Sequence, residues 1–214
     1  MQITIIGTGN MARGSATRAL SCRHTVRIID RDPDKAAHLA AGLQENAAAA
    51  DVQAAGSTNI GGADIVVLAL SYQATRQAAA QYAAALSGKT LVDISNPVDL
   101  STSDSLVVAP GTSAAEQIAA AAPEAHVVKA FNTTFAGTLI AGQAGGAPLD
   151  VFIASDDATA KRAVTDLATS GGLRPIDAGP LKRARELEGF QLLHMTLQQT
   201  LGTNWSSAIK ILER

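Results

Sequence analysis

A doubly wound, mostly parallel α/β sheet with a small helical C-terminal part is the fold class this sequence predicts. Three observations predict it. Short β-branched runs alternate with longer helical patterns from the first residues onward, which is the order of a parallel sheet covered on both faces. Hydrophobic residues make up 47% of the 214 while aromatics are only 3%, so the core must be built from Ala, Val, Ile and Leu. The last third changes character, with long helical patterns and few strands, and places a soft boundary near residue 150.

The elements follow in order. ITIIG, 3–7, is a β-branched run ending in glycine and reads as a buried parallel strand. MARGSATRAL fits a helix whose small residues pack closely on a sheet, and HTVRIID, 24–30, reads as the second strand. In DPDKAAHLAAGL, Asp32 suits a cap, Pro33 the first helical turn and Gly42 the end. DVQAA and ADIVVLAL supply two more strands, and TRQAAAQYAAAL is helical by composition. KTLVDISNP is a strand entering a turn that Pro97 stops.

SAAEQIAAAAP, 113–123, is a helix with a capping box from Ser113 to Glu116. AHVVKAFN and LDVFIAS are strands, and DDATAKRAVTDLATSG is a helix. LRPID, 173–177, reads as an edge strand, because its proline cannot donate to a ladder. GPLKRARELEGFQLLHMTLQQTLG begins the final helical region, and NWSSAIKIL resumes helical spacing. The AAAA tracts at 47–50 and 119–122 read as helical filler.

The first turn carries the clearest chemistry. Gly7-Thr8-Gly9-Asn10-Met11-Ala12 fits G-x-G-x-x-G/A. Gly7 permits the tight turn, Gly9 lets a pyrophosphate approach the backbone, and Ala12 keeps the helix close to the strand. The free N–H groups of that helix face the phosphate. The hexamer alone is weak, but here it follows a strand and opens a helix, as a Rossmann-type dinucleotide site requires. Asp30 closes the second strand at about the 20-residue spacing of a ribose-binding carboxylate. Such a group favours NAD, whereas Arg31 beside it suits the 2′-phosphate of NADP. Asp30 alternatively caps the next helix.

Ligands of open α/β sheets bind beyond the C-terminal strand ends. Ser71 and Tyr72, then Ser95, Asn96 and Pro97, then Lys129, Asn132, Thr133 and Thr134 occupy such ends. Asn132 orients a carboxamide or ring edge, or ties its own turn. Lys129 stabilises negative charge on an electron-accepting ring, or is exposed. These two are the candidate catalytic residues. A conventional acid–base set is absent, and hydride transfer between two ring cofactors needs mainly positioning and exclusion of water. The four histidines are scattered and offer no metal signature.

Net charge is −2 with no basic run, which argues against nucleic acid or a membrane patch. A single cysteine excludes an internal disulfide. MQITIIGTGN lacks the pattern of a signal peptide, and no segment reaches the ~18 apolar residues of a membrane span. Cytoplasmic residence is the expectation.

GTGNMARG at the start, VDISNP at 92–97, VVKAFNT at 127–133 and GLRPIDAGPL at 172–181 together resemble the coenzyme F420-dependent NADP oxidoreductase family over nearly the whole chain. That fold is also used by the cytoplasmic reductase domains of six-transmembrane ferric reductases. The resemblance implies hydride transfer between NADP(H) and a deazaflavin (F420) or a flavin (FMN or FAD), while the Asp30 carboxylate leaves NAD(H) open as the dinucleotide. It implies an NAD(P)-binding Rossmann domain over 1–150, and a C-terminal region, 151–214, that shapes the second-ring site and helps form a homodimer. By carry-over, Gly7 to Ala12 hold pyrophosphate, Asp30, Arg31 and Asp32 form the 2′-phosphate segment, and Ser71 and Tyr72 lie along the dinucleotide. Asn96, Pro97, Ala130, Asn132 and Thr133 face the nicotinamide. Typical deazaflavin-dependent members carry a serine and two basic residues after the second strand, where this chain has Asp30-Arg31-Asp32. Two other functions compete: a reductase of a small carbonyl or imine, favoured if His194 or Lys182 projects at the nicotinamide, and a non-catalytic dinucleotide-binding redox sensor.

Overall fold

The computed structural model describes residues 1–46, 51–56, 60 and 62–212, so the AAAA tract at 47–50 lies outside the described residues. The first half runs β1 (Gln2–Ile6), α1 (Asn10–Ser21), β2 (Thr25–Ile29), α2 (Pro33–Asn46), β3 (Val52–Ala54), β4 (Ile65–Leu68), α3 (Tyr72–Gln81), α4 (Ala83–Leu86) and β5 (Thr90–Asp93). It continues with α5 (Ala114–Ala121), β6 (His126–Lys129), α6 (Ala136–Ala141), a small hairpin of β7 (Gln143–Ala144) and β8 (Ala147–Pro148), β9 (Asp150–Ser155), α7 (Ala158–Ser170) and β10 (Arg174–Gly179). A 3-10 turn, Leu181–Arg183, leads into α8 (Ala184–Leu201).

The main sheet has the order β10-β9-β6-β5-β4-β1-β2-β3. Its β3-β2-β1-β4-β5-β6 portion is parallel throughout, in the strand order of doubly wound dinucleotide-binding sheets. The chain leaves β1 toward one edge and returns at β4 toward the other, so a crevice opens between the C-terminal ends of these two strands. β9 then adds antiparallel to β6, with Val128 opposite Ser155 and Lys129 opposite Ala154, and β10 adds parallel to β9. The sheet therefore runs on past residue 150 to Gly179. Pro175 sits on the outermost strand, where its missing N–H leaves no ladder bond unmade.

Two apolar layers sandwich the sheet. On one face Ala12, Ala16 and Ala19 of α1 pack with Leu39 of α2, Leu139 of α6 and Val164 of α7. On the other, Ala78 and Ala79 of α3 pack with Ile118 of α5, Leu181 and Ala184. All four residues of β4 are buried, as expected for a central strand covered on both sides. Each such side chain contributes roughly 1.5–3 kcal/mol by leaving water.

Two local expectations fail for physical reasons. Gly42 does not end α2, which continues to Asn46, because Leu43 is drawn into the core and keeps the helix turning. NWSSAIKIL is not helical. Gly202 ends α8 in a left-handed conformation, and Asn204 and Trp205 also have positive φ, which takes the chain out of helical space. The tail instead runs back to the sheet, where the buried Asp150 carboxylate accepts from Lys210 Nζ at 2.6 Å and from the Ile211 N–H at 2.8 Å.

Candidate functional site

The crevice begins at the turn after β1. Gly7 has φ +117°, and a Cβ there would stand 2.4 Å from the Ala69 carbonyl oxygen, so only glycine fits. The Gly7 N–H donates to Ile29 O and the Ala69 N–H to Ile6 O, which draws the ends of β2, β1 and β4 together. Gly9 is bare for another reason. Its φ of −74° suits any residue, but it is the N-cap of α1 without a side-chain cap, and a Cβ on it would meet nothing within 4 Å. Ser71 at the start of α3 likewise makes no capping bond. Gly9, Asn10 and Met11 share one cleft wall with Ser71 and Tyr72. Two uncapped helix N-termini thus open on the same space, a combination that suits an anion.

Toward β2 the cleft is lined by Thr8, Asp30, Arg31 and Lys35 together with Leu70 and Gln77. Asp30 is tied on both oxygens: Thr8 Oγ1 donates to Oδ2 at 2.8 Å and the Asp32 N–H to Oδ1 at 3.0 Å. Asp32 caps α2, its Oδ1 accepting from the Asp34 N–H at 3.1 Å. Lys35 stands 3.8 Å from Asp32, a loose exposed pair worth little by itself. The sequence pointed to a single basic residue here. Lys35, in the first turn of α2, is a second.

The other end of the cleft is shaped by Ile94, Ser95, Asn96, Val98 and Leu100. Asn96 and Asn132 clasp each other: Asn96 Nδ2 donates to Asn132 O at 2.9 Å and Asn132 Nδ2 to Asn96 Oδ1 at 3.0 Å. Asn132 Nδ2 also donates to the Leu187 carbonyl at 3.2 Å. Asn132 Oδ1, Thr133 Oγ1 and Ser95 Oγ are buried with no partner among the described residues. Such orphaned groups are costly unless something donates to or accepts from them. Pro97 is buried at the turn, with its carbonyl accepting from Val107, and Ala130 faces the core rather than open space. Tyr72 is buried, and its hydroxyl donates to Gln117 Oε1 at 2.5 Å, linking α3 to α5.

Lys129 is neither exposed nor aimed into the cleft. Its side chain is 0% exposed, and its ammonium donates to Asp93 Oδ2 at 2.8 Å, Glu188 Oε1 at 2.8 Å and Ser95 O at 2.6 Å. Its three protons are thereby used. Burial opposes its charge, but Asp93 and Glu188 outweigh burial and hold the ammonium above its ordinary range. Glu188 was invisible in the sequence, because it lies on α8 while its partner Lys129 ends β6, and no local motif marks the pair.

His194 packs on Phe135 with ring centroids 4.3 Å apart. Its Nδ1 contacts Gln191 and its Nε2 contacts Ser207, and burial lowers its pKa, so the neutral ring staples the tail to α8. Lys182 is exposed on the 3-10 turn. Neither lines the cleft beside Asn96.

A family model described as NADP oxidoreductase coenzyme F420-dependent matches residues 2–97. An F420-dependent NADP reductase of Methanothermobacter marburgensis is 32% identical over 208 residues, which cover 92% of this chain and 92% of that protein. Metalloreductase STEAP3 of Rattus norvegicus is 31% identical over 191 residues; these cover 89% of this chain but only 36% of that longer protein. A crystal structure from Arthrobacter sp. FB24, provisionally described as an F420-dependent NADP-reductase, matches with a TM-score of 0.84 and 34% identity, covering 100% of each chain.

Proposed function

The chain belongs to the F420-dependent NADP oxidoreductase family, and from that premise we propose that it transfers a hydride between NADP(H) and a deazaflavin or flavin in the cleft between α1 and α3. The observation that carries the reading is the pair of uncapped helix N-termini at Gly9 and Ser71 opening on one cleft, with the orphaned Asn132 Oδ1 buried at the Asn96 end. When bound, the dinucleotide supplies a hydride donor or acceptor at its nicotinamide ring, and the deazaflavin or flavin supplies the partner. Everything else falls to this chain's residues.

The first amides of α1 donate to the pyrophosphate, and the bare side of Gly9 admits it. Arg31 and Lys35 counter the charge of a 2′-phosphate, while Asp30, held by Thr8 and Asp32, moderates that preference. Asn132 Oδ1, the acceptor that the clasp leaves unused, is the group that would take the nicotinamide carboxamide, and the Asn96 clasp fixes its direction. With the reacting rings positioned and water excluded, no general base is required.

The C-terminal region from 151 carries α8, whose Phe190, Leu193, Leu197 and Leu201 form an exposed apolar stripe. That stripe supports a homodimer built through α8. Rapid mixing of NADPH and of NADH with F420, FMN and FAD tests the function. Fast oxidation of NADPH by one of these acceptors is the expected outcome, and no transfer to any of them would overturn it.

A further inference from the structure

The C-terminal helix reaches the ring end of the cleft through one buried carboxylate. Glu188 Oε2 accepts from the Ala114 N–H at 2.9 Å and Oε1 from the Ala115 N–H at 3.3 Å, so Glu188 closes the N-terminus of α5. The same Oε1 holds Lys129. Lys129 in turn grips Ser95 O and Asp93, and Asp93 Oδ1 accepts from the Ser95 N–H at 2.8 Å. Ser95 immediately precedes Asn96, and Leu187, whose carbonyl receives Asn132, immediately precedes Glu188. Asn96 is therefore one residue away from a group fixed by this cluster, and Asn132 donates to a carbonyl one residue away from Glu188.

The cluster carries two carboxylates for one ammonium, and all three side chains are wholly buried. The α5 amides that donate to Glu188, at the positive end of that helix, complement the excess negative charge. Between Lys129 and Asn132 the chain passes through Phe131, a buried aromatic residue with φ +61°. A bulky side chain in left-handed backbone persists only where its surroundings over-determine it. Here the constraint comes from Lys129 on one side and the Asn132–Leu187 and Asn132–Asn96 bonds on the other.

We propose that Glu188 is a positioning residue for the nicotinamide end of the cleft, setting Asn96 and Asn132 through Lys129, the α5 amides and the adjoining Leu187 carbonyl. This rests on the dinucleotide reading above. Glu188 touches no ligand. It sets where the two asparagines stand, so its loss weakens binding of the nicotinamide half and spares the adenosine half, which is held at the far end by Arg31 and Lys35.

The test compares the full-length protein with Glu188→Gln, which keeps the shape and one acceptor but removes the charge. In ligand-free protein, amides at 94–96 and 131–133 exchange with solvent about tenfold faster in the variant, while β1 and α1 are unchanged. Affinity for NADP+ falls about tenfold, whereas affinity for adenosine 2′,5′-bisphosphate stays within about twofold. Unchanged exchange in those two segments, or equal losses for both ligands, would overturn the proposal. If Glu188→Gln does not fold, Glu188→Asp, one methylene shorter with its charge kept, is put through the same comparison with smaller shifts in the same direction. A wild-type protein that bound neither ligand would refute the dinucleotide reading, while the ligand-free exchange would still decide for or against the positioning role.

Discussion

The cleft above α1 and α3 and the cluster joining α5 to α8 are made from the same parts, strand ends meeting helix N-termini, and are finished in opposite ways. At α5 the N-terminus is closed: Ser113 Oγ accepts from the Glu116 N–H at 3.2 Å, and Glu188 takes the Ala114 and Ala115 amides. At α1 and α3 no side chain among the described residues takes that place, and none of them stands within 4 Å of where a Gly9 Cβ would be. The sealed region contains full charges that are paired and hydrogen-bonded. The open region contains bare amides at the mouth of a cleft. The first is scaffold, and the second is where the proposed dinucleotide would bind.

Variants can break that contrast. The largest expected effect is in the sealed region. Lys129→Met leaves Asp93 and Glu188 facing each other without a countercharge, and should cost about 3–5 kcal/mol in chemical denaturation. Adding Glu188→Gln should restore part of that loss. A single variant as stable as the wild type would mean that the cluster is not the scaffold described. Next comes the open region. Gly9→Leu should leave the melting temperature within about 2 °C, yet weaken NADP+ binding about a hundredfold in a calorimetric titration. Binding within twofold of wild type would show that no phosphate approaches Gly9.

Smaller effects sharpen the comparison. Asp30→Ala removes the carboxylate beside Arg31 and Lys35 and should raise the NADPH-to-NADH preference about fivefold in steady-state kinetics, while Arg31→Ala should lower it by a similar factor. An unchanged ratio in both would separate this corner from cofactor choice. The smallest effect belongs to the tail. Burial depresses the His194 pKa, so the unfolded chain binds the proton more readily than the folded one. Stability contributed by the neutral ring is present above the unfolded value of about 6.5 and is lost as pH falls through the depressed folded value. Between pH 7 and pH 5.5 the melting temperature should fall by about 2 °C more in the wild type than in His194→Gln.

What was legible in the sequence was local. The turn Gly7–Ala12, the β-branched runs and the edge proline at 175 each state their purpose within a few residues, and the sheet follows from them. Asn132 was visible as a polar residue at a strand end, although its clasp with Asn96 was not. The long-range pairings left no local trace. Lys129 looked like a cation for the cleft because nothing near it in sequence announced Glu188. NWSSAIKIL had helical spacing, but the buried Asp150 outbid that preference by claiming Lys210 and the Ile211 amide. Local propensity was overruled where a buried charge needed partners.

The most direct test of the central claim is a calorimetric titration of NADP+ into the wild-type protein. Saturable binding at one site per chain is the predicted result. The absence of heat from NADP+, and from NAD+ in the matched control, would contradict the assignment of the α1–α3 cleft to a dinucleotide.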